Sequence, residues 1–62
     1  MKLEIGNYYS VLFSDGTVVS FRFSGGVPPT ANLEGKEVDL VELLSKPVLA
    51  YWVNDAGNPF VV

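Results

Sequence analysis

The stretch "YYSVLFSDGTVVSFRF", Tyr8 to Phe23, alternates apolar and polar residues on both sides of an Asp-Gly pair, the pattern of two antiparallel strands joined by a tight turn. Tyr9, Val11 and Phe13 fall at odd positions on the first arm, and Val19, Phe21 and Phe23 continue the odd series on the second. Ser10, Ser14, Ser20, Arg22 and Ser24 hold even positions. A two-residue turn at Asp15-Gly16 would set Tyr9 against Arg22 and mix the faces. A three-residue loop, Ser14-Asp15-Gly16, pairs Val11 with Val19 and Tyr9 with Phe21, and the strong apolar positions then share one face. Burial selects this register, with Gly16 in the left-handed conformation of a type I turn plus G1 bulge. The opposite face carries Tyr8, Ser10, Leu12, Val18, Ser20 and Arg22. Because Tyr8, Leu12 and Val18 are not polar, that face is either further core in a curled sheet or a surface for a partner.

Outward from the hairpin the signals are mixed. Lys2 to Ile5 alternates as a short first strand, with Leu3 and Ile5 on one side. "SGGVPPTANLEGK", residues 24–36, holds three Gly and two Pro without periodicity, and reads as a long loop with an extended Val27-Pro28-Pro29 segment. In "DLVELLSKP", Asp39 is placed to cap a helix with Glu42 three residues on. Leu40, Leu43 and Leu44 form one apolar stripe, Lys46 suits the helix C-terminus, and Pro47 ends the helix, so two turns at most are expected near 39–46. "VLAYWV", Val48 to Val53, is continuously apolar and reads as the most buried strand. "NDAGNP" supplies turn residues, and "FVV" reads as a closing strand.

The expected order is β-β-β-α-β-β in a single small β-rich domain, residues 1–62. The class is mainly β: a small, strongly curled antiparallel sheet or SH3-like partial barrel of four to five strands with one short helix. Through the hairpin "YYSVLFSDGTVVSFRF" the chain is similar, at the level of fold, to SH3-like barrels, including Tudor and Sm-like modules. The resemblance spans about a quarter of the chain and transfers no family residues. An open antiparallel sheet with the helix across one face is the alternative.

Composition narrows the chemistry. The 62 residues contain no Cys and no His, so disulfides, thiol nucleophiles, imidazole bases and the common zinc ligand sets are ruled out. No G-x-S-x-G elbow surrounds any serine, and Gly25-Gly26 lacks the Lys and Ser/Thr of a phosphate-binding loop. Glu34, Glu37, Asp39 and Glu42 cluster in sequence but match no calcium-loop or hydrolase spacing, and read most simply as a cap and solvated charges. Neither a cofactor nor an enzymatic activity is implied.

The formal net charge is −3, and Lys2, Arg22, Lys36 and Lys46 are scattered, which argues against a nucleic-acid stripe. The N-terminus lacks the pattern of a signal peptide, and no apolar run approaches a membrane span. With Cys absent, a cytoplasmic setting is the expectation. The chain is 48% hydrophobic, rich for a core this small, so a homo-oligomer or a bound protein partner is expected to cover part of it.

Tyr8-Tyr9 and Tyr51-Trp52 are adjacent aromatic pairs, and strand neighbours point to opposite faces. Tyr9 belongs to the core, which leaves Tyr8 outside; for Tyr51 and Trp52 the pattern does not decide. Aromatics displayed this way serve protein interfaces or cationic ligands, and those turned inward fill the core. The reading is therefore a non-enzymatic protein-interaction module. Tyr8 and Arg22 are its leading contact residues, followed by Val27, Pro28, Pro29 and Trp52. A nucleic-acid-binding barrel, or an acidic inhibitor using Glu34, Glu37, Asp39 and Glu42, is the alternative.

Overall fold

The computed structural model describes residues 2–54. Its elements are β1 (Tyr8–Phe13), β2 (Val18–Gly25), β3 (Thr30–Leu33), β4 (Lys36–Asp39), the helix α1 (Leu40–Leu43) and β5 (Val48–Asn54). All neighbouring strands are antiparallel, in the order β4-β3-β2-β1-β5. The sheet is open and carries one short helix, in the manner of an SH3-like partial barrel.

The hairpin takes the register that burial demands. Tyr9 faces Phe21 and Val11 faces Val19. The Phe13 N–H donates to the Thr17 carbonyl at 2.9 Å, the Gly16 N–H donates to the Phe13 carbonyl at 3.0 Å, and Gly16 has φ +89°. Tyr9, Val11, Phe13 and Phe21 are buried on one face together with Ala31 of β3 and Leu40 of α1. Leu3, Val19, Phe23, Leu33, Val38, Leu43, Leu44 and Val48 pack around them. One turn of helix is too short to persist alone, and these leucines hold it in place.

Four expectations are corrected. Residues 24–36 are not a long loop, because they contain the end of β2, the whole of β3 and the first residue of β4. A two-residue turn at Glu34-Gly35 joins β3 to β4, with φ of 51° and 86°, and the Asn32 carboxamide accepts from the Gly35 N–H at 3.1 Å. Glycine in the second position and a tolerated left-handed residue in the first let the strands return directly, as a type I′ connection requires.

Lys2–Ile5 is not a strand. It crosses the sheet as an irregular segment, with the Glu4 N–H donating to the Tyr9 hydroxyl at 2.7 Å and Leu3 against the core. The helix, Leu40–Leu43, falls within the two turns expected, but Lys46 is not in its last turn. Asp39 caps it by accepting from the Val41 and Glu42 N–H groups at 2.8 and 3.3 Å, and Lys46 leaves the helix end to bind Asp15.

The largest correction concerns residues 48–53. Among the described residues they form an edge strand, not the most buried one, and Leu49, Tyr51 and Val53 are 66%, 41% and 55% exposed. An apolar run fits a strand covered on both faces and equally an uncovered edge, and only the strand order separates the two. The closing strand expected at Phe60–Val62, and the turn residues from Asp55 on, lie outside the described residues.

Candidate functional site

The face opposite the core is assembled by strand register. Asn54, Tyr8, Arg22, Asn32 and Glu37 lie in one row that crosses all five strands, each the direct partner of the next. A second row holds Trp52, Ser10 and Ser20, and a third Ala50, Leu12 and Val18. Tyr8 and Arg22 are therefore direct neighbours, with Trp52 on the same face one row away. Tyr8 is 36% exposed, Arg22 is exposed, and Trp52 is half-buried. The Arg22 Nε donates to the Gly6 carbonyl at 3.3 Å, which steers the guanidinium toward the chain entering β1.

The face is not uniformly open. Ser10 is fully buried and Asn54 nearly so, although the hairpin pattern alone places Ser10 on the outer side. The Ser10 and Ser20 hydroxyls lie 2.9 Å apart, and the Asn54 side-chain amide donates to the Ser10 hydroxyl, so a line of polar groups runs across three strands. Among the described residues the Trp52 Nε1 and the Asn54 Oδ1 are buried without a hydrogen-bond partner. One is a donor and the other an acceptor, left where each unpaired group costs stability. Nothing in the alternation of the sequence distinguished Asn54 or Ser10 in this way, because burial on the second face is a tertiary outcome.

Val27, Pro28 and Pro29 do not join these rows. They form the β2–β3 turn, where Val27 is fully exposed, and the Pro29 carbonyl accepts from the Leu40 N–H at 3.0 Å. The turn thus ties the sheet to the start of α1. Tyr51 lies on the core side of the edge strand, where its hydroxyl accepts from the Lys2 N–H at 3.4 Å.

The acidic residues are spread out. Glu37 accepts from the Ser24 hydroxyl at 3.0 Å, Asp39 caps the helix, and Glu34 occupies the turn. Among the described residues no group of His, Cys, Asp or Glu could hold a metal ion, and no pocket opens in the surface. Contacts made by this region would be those of a surface, with Tyr8, Arg22 and the edge of Trp52 offering aromatic area and a fork of donors. No protein-family model, no curated protein and no solved structure matches this chain.

Proposed function

We propose that the protein is a non-enzymatic protein-binding module whose contact surface is the outer face of the β1–β2 hairpin. The observation that carries this reading is the cross-strand pair of Tyr8 and Arg22, both exposed, with Trp52 on the same face. Tyr buries much area at low entropic cost, Arg adds a planar fork of donors, and both are enriched where interfaces concentrate their energy. The Ser24–Glu37 contact flanks the pair and adds a carboxylate, which favours a partner with a basic or hydrogen-bond-donating rim. The Val27-Pro28-Pro29 turn is a separate projection and a secondary contact at most.

Capture from native extract on immobilised protein tests the proposal, comparing the wild type with Tyr8→Ala, Arg22→Ala and, as a control on the helix, Val41→Ala. Circular dichroism verifies that each variant is folded. A protein retained by wild type and Val41→Ala but lost by Tyr8→Ala and Arg22→Ala is the expected result. Nucleic acid retained instead and released steeply by salt would overturn it. So would a partner lost only when Glu34, Glu37, Asp39 and Glu42 are neutralised, because that result belongs to an acidic inhibitor.

A further inference from the structure

The two edges of the sheet differ in kind. β4 is four residues long and carries Lys36, Glu37 and Asp39, the charges and brevity that protect an edge from pairing with another chain. β5 is seven residues long, Val48 to Asn54, and has no charged side chain. Its one irregularity is a bulge opposite Leu12 and Phe13, at the start of the strand, which leaves Ala50 to Asn54 regular. Leu49, Tyr51 and Val53 stand exposed along it.

The direction of the backbone groups follows from the hairpin. Phe13 N–H bonds Thr17, and Phe23 N–H bonds Asn7, so odd residues of β1 aim their N–H and C=O groups at β2. Even residues of β1 therefore aim theirs at β5, where Tyr8, Ser10 and Leu12 face Asn54, Trp52 and Ala50. Tyr51 and Val53 must then direct N–H and C=O away from β1. Among the described residues no strand lies on that side.

We infer that this edge, unpaired among the described residues, pairs with the same edge of a second copy of the chain, antiparallel about a two-fold axis at Tyr51. Tyr51 is the midpoint of the strand and one of its outward-pointing residues, so full overlap coincides with a hydrogen-bonded register. Tyr51 meets its own copy, and Val53 falls opposite the bulge at Leu49 of the second chain. Opposed apolar and aromatic residues favour such pairing, and a closed two-fold contact uses up both β5 edges. Charge agrees: β5 itself carries no carboxylate to oppose its copy, and the charged β4 edges lie at the far ends of the joined sheet. The inference uses the edge of the sheet, not its outer face, and does not depend on the proposed protein-binding role.

Amide hydrogen exchange on the full-length wild-type chain, read across a concentration series alongside analytical ultracentrifugation, tests it. Slower exchange at Tyr51 and Val53 as concentration rises, tracking dimer formation, is expected. Rapid exchange at all concentrations would overturn the inference. Protection in the monomer would also overturn it, because residues 55–62 of the same chain would then be the occupant. A second test uses the lack of cysteine. Tyr51→Cys should form a disulfide-linked dimer several-fold faster than Val41→Cys, since opposed residues in a hydrogen-bonded pair lie within disulfide reach. Equal rates would count against the axis.

Discussion

Asp15 is the residue where local geometry most alters chemistry. Its carboxylate accepts from the Thr17 hydroxyl at 2.6 Å and the Thr17 N–H at 3.0 Å, and Lys46 lies 2.9 Å away. The Thr17 hydroxyl, then Lys46, then the Thr17 N–H hold its pKa well below the usual carboxylate range. A carboxylate whose folded pKa lies below its unfolded value adds stability that is complete above the unfolded value of about 3.9 and is lost as the pH falls through the folded one. The wild type should accordingly be more stable than Asp15→Asn at pH 6, and the gap should narrow as the pH falls toward 2. Urea unfolding of both proteins across that range checks this, and a constant gap would refute it. The group is exposed and screened, so a modest effect is expected. Lys46 also lies 5.1 Å from the Phe13 ring centre, which ties this turn to the core.

At the scale of elements, the β3–β4 turn is the informative one. Glu34 holds a positive φ of 51°, where Asn or Gly is the usual occupant of a type I′ turn. Glu34→Asn should therefore stabilise the protein by roughly 0.5–1 kcal/mol, seen as a rise in Tm of a few degrees for a chain this short. An unchanged or lower Tm would mean that the glutamate makes a compensating contact. This turn also explains why β3 and β4 escaped the pattern. "TANLEGKEV" has Ala31, Leu33 and Val38 facing inward, but Glu-Gly is a weaker turn signal than Asn-Gly, and the preceding Gly and Pro residues mask four-residue strands. The helix start was legible because a cap is local: Asp39 needs only the two N–H groups that follow it.

At the scale of the molecule, β4-β3-β2-β1 is a meander of sequence neighbours, whereas β5 reaches β1 only after the chain has passed through α1. Loop closure makes such a pairing slow to form and rewards it late. Val48→Ala, which trims a half-buried residue packed on the core, should cost about 1 kcal/mol and act mainly by speeding unfolding. Val19→Ala in β2 should slow refolding instead. Stopped-flow chevrons of the two variants distinguish them, and the reverse pattern would place β5 in the folding nucleus.

The same contrast separates what each level determined. The hairpin register, the Gly16 loop, the Asp39 cap and the shared face of Tyr8 and Arg22 follow from the order of residues, because each depends on period-2 alternation or on groups a few residues apart. Strand order and packing are what make Val48 to Val53 an edge among the described residues, put Trp52 rather than Tyr51 on the face of Tyr8, and bury Ser10. Apolarity records how strongly a residue prefers to leave water; whether it can do so depends on which strands flank it, and that order arises from contacts distant in the chain.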